Sequence, residues 1–238
     1  MDEKRTKEEI AADIVKTKAE AIKIEAEARK VLAEAETAET HAEKEKLELK
    51  KYKDDRDKIS ATDEENYVYR FSGSVDKSSV AKCRNKLAEW SRRFPSCDVE
   101  IVFSSPGGGI TSGFELFDYI QQLRGRGHKV ITGSLGMAAS MAGILLQAGE
   151  ERWIGHQCWI LIHRAAFGAI GKTFEVEDEV AWIKRIEQRI IEIFTSRSSL
   201  TPQKIKRNWN RKDWWISSDE ALELGLVDEI KGKLPESS

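Results

Sequence analysis

The sequence predicts an α/β protein with a largely parallel sheet, preceded by a long helical arm. From residue 66 onward, apolar runs of strand length alternate with amphipathic segments of helix length, as in parallel sheets joined by crossover helices. Up to residue 58 the chain is rich in Ala, Glu and Lys and contains no Gly or Pro, which favours a helix. We therefore expect a helical arm at 1–58, a linker at 59–65 and a globular domain at 66–238.

The arm carries an apolar seam with the period of a coiled coil. Alternating steps of four and three residues from Ile10 to Tyr52 meet aliphatic or alanine side chains, interrupted only by Thr17 and Glu45. A period of 3.5 residues predicts a coiled coil. Because many seam residues are alanine, each turn buries little area, and we expect the arm to need a partner helix. A single solvated helix is the alternative interpretation.

The elements of the domain are predicted in order from periodicity and capping signals. Strands are expected at 67–71, 99–103, 129–132, 158–162 and 226–230. Helices are expected at 75–94, at 114–123, from Ala138 onward and at 173–197. Two shorter helices are predicted from their start signals: Pro202 stands at a first helical position after Thr201, and Ser217 with Glu220 forms a capping box.

Composition restricts the class of protein. The net charge is −2 and the pI is near 6.2, and Glu and Lys alternate along the arm, so nothing indicates nucleic-acid binding. The three cysteines are an odd number without Cys/His ligand spacing, which favours reduced thiols and no metal site. The sequence shows neither a signal peptide nor a run long enough to span a membrane. We therefore expect a cytoplasmic protein without membrane contact.

Three features of the domain have the residue types of a catalytic site. A glycine-rich loop at 104–109 follows a strand, where bare N–H groups can approach a ligand; it is not followed by Gly-Lys-Ser/Thr, so it is no ATP-binding loop. Ser140 lies at a predicted helix start among small residues, where unpaired N–H groups can bind an oxyanion. His163 ends an apolar strand. Taken singly, Ser140 is more often a packing residue and His163 a structural one.

Taken together, these motifs resemble the Clp protease proteolytic subunit family. The resemblance covers about 67–230 and leaves the arm unmatched. It rests on four motifs in the same order as in that family: Ser105-Pro106-Gly107-Gly108, Gly136-Met137-Ala138-Ala139-Ser140-Met141-Ala142, Ile162-His163 and Glu220-Ala221-Leu222-Glu223-Leu224-Gly225-Leu226-Val227-Asp228-Glu229.

The resemblance implies an α/β protein of the ClpP/crotonase-like fold, with repeated β-β-α units, behind the coiled-coil arm. It also implies a serine endopeptidase that forms an acyl-enzyme without a cofactor. Carried over by motif, the nucleophile is Ser140, the general base His163 and the orienting acid Asp213. The oxyanion hole would be formed by the N–H groups of Gly108 and Met141, and the substrate strand would bind at Gly107, Gly109 and Ile110.

The same resemblance implies partners. The expected substrate is a peptide or unfolded protein, and the expected assembly is a homo-oligomeric ring, either a heptamer or a stacked double ring. Any ATP would be used by a partner AAA+ unfoldase, and such an unfoldase or a scaffold would bind through the N-terminal arm. Two positions depart from the family pattern: Arg164 follows His163 where the family has Gln, which leaves the substrate preference open, and Lys212 precedes Asp213 where the family has Arg, which leaves the ring size open.

Other functions stay open at this point. A phage capsid-maturation protease of the same type would use the arm for scaffold attachment. A catalytically silent ring or scaffold subunit would lack activity despite the three matching residues. An acyl-CoA enzyme of the crotonase fold would lack the pairing of Ser140 with His163, and a Ser/Lys peptidase has no convincing lysine here.

Overall fold

The computed structural model describes residues 7–210 and 212–232; the ends of the predicted arm and domain, 1–6 and 233–238, lie outside the described residues. The chain divides into two compact units, Met1–Lys58 and Ile59–Ser238. In the second unit the α/β prediction is confirmed, because helices alternate with the strands of an eight-stranded, mostly parallel sheet.

The arm is a continuous helix, α1 Lys7–Ala61, of 55 residues. Its described apolar side chains are exposed in the single chain, with exposed fractions of 64% at Val31 and 53% at Leu49. The helix runs into the segment 59–65 that was predicted to be a linker, and Thr62–Asp63 then forms a short strand against Val68 and Tyr69. The physical reason is that 59–65 contains neither Gly nor Pro, so nothing in it ends the helix early.

The second unit contains the remaining elements. Its strands are β1 Thr62–Asp63, β2 Val68–Ser72, β3 Val99–Ser105, β4 Val130–Ala139, β5 Glu151–Gly155, β6 Trp159–Ile162, β7 Trp214–Ile216 and β8 Glu229–Lys231. Its helices are α2 Lys77–Arg93, α3 Ile110–Gly125, α4 Met141–Leu146, α5 Thr173–Thr195, α6 Pro202–Trp209 and α7 Ser218–Glu223.

The sheet branches at β4. The main path runs β1-β2-β3-β4-β5-β8, and β6 with its neighbour β7 joins at the second half of β4. Residues 131–134 of β4 pair with β5, whereas residues 137–139 pair with β6. Between these two stretches Gly136 has a φ of +72°, which a glycine adopts without strain. The change of partner allows one long strand to hold both β5 and β6.

The core lies between the sheet and helices α2, α3 and α4, and side chains of α5 and α6 also contribute to it. The largest fully buried side chains come from both layers and include Trp90, Phe103, Leu116 and Leu145. Burial of side chains of this size contributes roughly 1.5–3 kcal/mol each to folding. No helix in the described part of the chain is long and apolar enough to cross a bilayer.

The structure corrects the predicted start of the helix that carries Ser140. A helix was expected from Ala138, but Ala138 and Ala139 are the last residues of β4 and the helix α4 begins at Met141. The small residues that suggested close helix packing instead allow the end of β4 to lie between two strands. Ala138 pairs with Ser105 of β3, and residues 137–139 pair with β6. Ser140 therefore lies at the turn between strand and helix.

Candidate active site

The carboxyl ends of three neighbouring parallel strands meet at one edge of the sheet. The first, β3, leads into the glycine-rich loop; the next, β4, leads to Ser140; and β6 leads to His163. Crevices outside the carboxyl ends of parallel strands are the usual binding sites of α/β proteins. The topology thus brings together three features that are far apart in the sequence.

Ser140 has a strained backbone. Its φ of 55° and ψ of −121° lie outside the regions that residues with a Cβ normally adopt. The N–H of Ser140 donates to the carbonyl of Leu161 at 2.9 Å, and the fully buried residues of α4 fix the chain on the other side. A serine on a sharp strand-to-helix turn presents its hydroxyl at the end of the sheet, as nucleophilic serines of α/β hydrolases do.

Ser140 and His163 are within hydrogen-bonding distance. The Nε2 atom of His163 is 2.7 Å from the Oγ atom of Ser140. The parallel pairing of Ala139 with Leu161 brings the ends of the two strands together, because in this register Ser140 follows opposite Ile162, the residue before His163. A neutral imidazole at this distance can accept the hydroxyl proton as the oxygen attacks a carbonyl.

The glycine-rich loop lies directly against the nucleophile. A Cβ built on Gly107 would lie 2.6 Å from the Cβ of Ser140 and 2.9 Å from the nitrogen of Met141, so only glycine fits there. The loop is held by two backbone hydrogen bonds, from Val75 N–H to the Gly107 carbonyl at 2.8 Å and from Gly109 N–H to the Val75 carbonyl at 2.7 Å. Among the described hydrogen bonds, none uses the N–H of Gly108 or Met141, so both donors are available to a ligand.

A cavity of about 290 Å³ opens beside these groups. The predicted site residues Ser140, His163, Gly108, Met141 and Ile110 line it. Gly107 is buried against Ser140, and Gly109 is exposed; neither lines the cavity. Most of the other lining side chains are apolar: Pro106, Ile144, Leu161, Ile162, Ala165, Ala166, Ile190 and Phe194. The cavity can accept an apolar side chain next to a carbonyl held at Ser140.

Asp213 lies next to His163 in the sheet register but does not bond to it. Strands β6 and β7 are antiparallel and pair Ile162 with Trp214; one step further, the same register sets His163 opposite Asp213. The side chain of Asp213 is exposed, and among the described residues no hydrogen bond joins it to His163. β7, the strand that brings Asp213 to this position, is not predicted by the sequence pattern.

Sequence reasoning also missed an ion pair on the cavity wall. Arg164 lines the cavity and donates from Nε to Oε1 of Glu187 at 2.8 Å and from Nη2 to Oε2 at 3.0 Å. The hydrogen bonds that Arg164 donates to the Glu187 carboxylate raise the pKa of its guanidinium. A signal was present: Glu187 is a charged residue on the apolar face of α5, between Ile186 and Ile190, where a carboxylate needs a partner.

Other titratable groups lie away from the cavity. His128 is buried and contacts Ser91 at 2.8 Å, and all three cysteines are free thiols. Within residues 7–210 and 212–232, no group of three or more His, Cys, Asp or Glu side chains has the arrangement of a metal site. The candidate site is therefore the one built from β3, β4 and β6.

Comparisons with known proteins point to one family. The model of the family described as "Clp protease" matches residues 57–233. The chain is 32% identical over 139 residues to ATP-dependent Clp protease proteolytic subunit 2 of Tropheryma whipplei (strain Twist), covering 58% of this chain and 75% of that one. It is 33% identical over 141 residues to an ATP-dependent Clp protease proteolytic subunit of Porphyromonas gingivalis (strain ATCC BAA-308 / W83), covering 58% of this chain and 62% of that one.

Proposed function

Because the chain belongs to the Clp protease family, we propose that it is a serine endopeptidase that hydrolyses peptide bonds through an acyl-enzyme at Ser140. The observation that carries the proposal is the 2.7 Å distance between His163 Nε2 and Ser140 Oγ at the edge of a cavity. This pairing separates the proposal from an acyl-CoA enzyme of the same fold, which needs no serine activated by histidine. No described lysine lines the cavity, which disfavours a Ser/Lys mechanism.

The two residues divide the chemistry between them. A serine hydroxyl is too weakly acidic to attack an amide by itself, so His163 takes the proton from Oγ as the bond to the substrate carbonyl forms. The imidazolium then gives this proton to the leaving amine. In the second half of the reaction, His163 takes a proton from water as the water oxygen bonds to the acyl carbon. The bond from that carbon to Ser140 Oγ then breaks, His163 returns the proton to Oγ, and the peptide leaves as its carboxylic acid.

The oxyanion would be stabilised by backbone donors. The N–H groups of Gly108 and Met141 both border the cavity and make no described hydrogen bond to the protein. Such donors act without reorganisation, and loss of one costs about 100- to 1000-fold in rate. The loop at Gly107, Gly109 and Ile110 would hold the peptide as an added strand, because its backbone lies at the edge of the site.

Asp213 would orient the imidazole. The register of β6 and β7 supports this role, since residues opposite each other in an antiparallel pair have Cβ atoms about 4.5–5.5 Å apart. A change of side-chain rotamer is the smallest movement that would bring the Asp213 carboxylate to Nδ1 of His163. There it would favour the tautomer with a free Nε2 lone pair and stabilise the imidazolium.

The assembly and the partners belong to the same proposal. We infer a homo-oligomeric ring that degrades unfolded polypeptides delivered by an AAA+ unfoldase, because relatives carry the words "ATP-dependent" and "proteolytic subunit" in their names. The glycine-rich loop has no ATP-binding sequence, so ATP would be hydrolysed by the partner. The arm, which lies almost wholly outside the matched residues 57–233, would bind the unfoldase or a scaffold.

Hydrolysis of a short fluorogenic peptide with an apolar side chain before the scissile bond tests the proposal without an unfoldase. We expect Ser140→Ala and His163→Ala to lower kcat by at least about 1000-fold. Ser78→Ala, at an exposed serine on α2, and His156→Ala, between β5 and β6, are matched controls and should retain activity. Full activity in Ser140→Ala would refute the proposal.

A further inference from the structure

The chain that follows β6 is held by very few polar contacts. Residues 163–171 form no helix or strand. Within this segment, the described hydrogen bonds come from two side chains alone: His163 bonds to Ser140 and Arg164 bonds to Glu187. The position of the segment, and of the histidine at its start, therefore depends strongly on Arg164.

The contact between Arg164 and Glu187 is well suited to fix a backbone position. It is bidentate, with distances of 2.8 and 3.0 Å, and a bidentate guanidinium–carboxylate pair restrains direction as well as distance. The Glu187 side chain is only 11% exposed. Its helix α5 is packed into the core through Ile186, Ile190, Ile191 and Phe194. Glu187 is thus a fixed point to which Arg164 is attached.

Arg164 is covalently adjacent to His163, so its restraint reaches the imidazole. Among the described residues nothing bonds to Nδ1 of His163 in this conformation, so until the Asp213 carboxylate turns towards it, the ring orientation depends on the backbone and on Ser140. Proton transfer requires the correct heavy-atom distance, and a displacement of about 1 Å can cost about 100-fold in rate. A restraint one residue away from the base is therefore in a position to affect catalysis.

We propose that Arg164 and Glu187 form a positioning pair, which holds His163 against Ser140 by tying the chain after β6 to α5. This inference rests on the proposed peptidase function and adds two residues that do not touch the reacting atoms. Arginine suits the role better than lysine, because its planar fork binds both carboxylate oxygens whereas an ammonium group acts as a single point charge.

Although the Arg164 side chain is half-exposed, it also lies in the walls of two cavities. Arg164 lines both the site cavity and a second cavity of about 480 Å³, in which Glu187, Lys184 and Lys206 are also found. The pair thus forms part of the wall between the two cavities. If it opens, the cavity wall beside His163 loses its support from α5.

Steady-state kinetics on the full-length protein test the inference. The variants are Arg164→Gln, Glu187→Gln, the double variant and Arg164→Lys, assayed with the same fluorogenic peptide. We expect kcat to fall about 10- to 100-fold with KM nearly unchanged, and the double variant to be no worse than either single one, because both remove the same contact. Arg164→Lys should recover part of kcat.

A second ion pair in the chain is a matched control. Arg84 and Glu115 are joined at 2.6 Å between α2 and α3, away from the site cavity, so Arg84→Gln and Glu115→Gln should leave kcat unchanged. The same series includes the wild type and Ser140→Ala. If the wild-type activity depends on Ser140 and the Arg164 and Glu187 variants keep the wild-type kcat, the positioning role is overturned and the proposed peptidase function stands.

Two further outcomes are decisive. A rise in KM without a fall in kcat would make Arg164 a substrate contact and would also overturn the positioning role. A wild type without Ser140-dependent hydrolysis would overturn both the proposed function and this inference. Thermal unfolding of each variant shows whether the fold survives. The Arg164 side chain is half-exposed, so we expect Arg164→Gln to fold, and its kcat still tests the inference if Glu187→Gln unfolds.

Discussion

Ser140 combines a strained backbone with a rigid setting. A residue with a Cβ in a sparsely populated conformation costs on the order of 1–3 kcal/mol, and the φ of Ser140 is 55°. The strain persists because β4 is paired on one side of the residue and α4 is fully buried on the other. Strain of this kind is concentrated at functional sites, where it fixes the direction of a reactive side chain.

Gly107→Ala should abolish activity. A Cβ at this position would lie 2.6 Å from both the Ala139 carbonyl oxygen and the Ser140 Cβ, and the φ of +90° is unfavourable for alanine. Backbone atoms cannot move aside as flexible side chains do, so the loop and Ser140 must separate. We expect kcat/KM for the fluorogenic peptide to fall by at least about 100-fold, the loss typical of a disturbed oxyanion hole.

Gly125→Ala is the control for that substitution. Gly125 is the last residue of α3, and an added Cβ there meets no atom within 4 Å. It should retain wild-type activity and melt within a few degrees of the wild type. An active Gly107→Ala protein would contradict the proposed packing of the loop against the nucleophile.

The site was only partly predictable from the sequence. Ser140 and His163 could each be selected as a candidate, because one lies among small residues and the other ends an apolar strand. Their contact could not be derived, since it depends on which strand pairs with the second half of β4. The assignment of Asp213 came from family resemblance alone, and it stays a prediction because its carboxylate makes no described bond to His163.

At the level of elements, a charge pair between the buried Arg152 of β5 and the partly exposed Asp228 joins β5 to the chain before β8. The Arg152 side chain is 3% exposed and donates from Nη2 to Oδ1 of Asp228 at 2.7 Å and from Nε to Oδ2 at 3.1 Å. The backbone N–H of Arg152 donates to Asp228 at 2.8 Å as well. Removal of one partner of a buried pair leaves an uncompensated charge, which costs about 3–5 kcal/mol.

Asp228→Asn should therefore destabilise the protein in a pH-dependent way. Burial raises the pKa of Asp228, but hydrogen bonds and the charge of Arg152 outweigh it, so that the pKa lies below the ordinary value of 3.8. The pair stabilises the fold fully above that ordinary value and loses this contribution as the pH falls through the lower folded value. Because Asp228 is 43% exposed, we expect the lower end of the range, about 3 kcal/mol at pH 7.

Thermal melting across pH checks this expectation. At pH 7 the variant should melt about 6–12 °C below the wild type, and the gap should narrow below about pH 4. Glu229→Gln, at the exposed next residue, should change stability by less than about 0.5 kcal/mol. A gap that stays constant down to pH 3 would show that the charge of Asp228 is not responsible.

The elements that sequence reasoning missed share a physical cause. Periodicity and helix start signals predicted β2, β3, β4, β6, β8 and helices α1 to α7 at least approximately. Three strands, β1, β5 and β7, were not predicted. β1 is two residues long and lies in the predicted linker. β5 begins with the charged residues Glu151 and Arg152 although most of the strand is buried, and the charge of Arg152 is paired with Asp228, which is distant in the sequence. β7 is three residues long, Trp214–Ile216, and pairs with β6.

At the scale of the whole molecule, the arm is the part of this chain that lies almost wholly outside the family match. The family match begins at residue 57, whereas α1 begins at Lys7. A helix of 55 residues with exposed aliphatic side chains is expected to bind another helix. We therefore propose that the arm serves assembly or partner binding, and that peptide hydrolysis takes place in the unit that starts at Ile59.

Substitutions in the seam test the role of the arm. The double variant Val31→Lys with Leu49→Lys places charges at two seam positions, where the side chains are 64% and 53% exposed. The control, Leu32→Lys with Leu47→Lys, places charges outside the seam at side chains that are 62% and 55% exposed. We expect sedimentation velocity to show a smaller assembly for the seam variant alone, since charges in an apolar seam oppose helix pairing. Unchanged sedimentation in both variants, and in a protein lacking 1–58, would exclude an assembling role.

The most direct test of the central claim is the covalent labelling of Ser140 by a fluorophosphonate, read by intact mass and peptide mapping. The proposed mechanism predicts a single adduct on Ser140, no adduct in Ser140→Ala, and labelling slowed at least about 1000-fold in His163→Ala, where the base is missing. If the protein lacking 1–58 is labelled and the full-length protein is not, the arm is an inhibitor of an otherwise intact site. Absence of an adduct from both forms would contradict the account and leave a catalytically silent subunit.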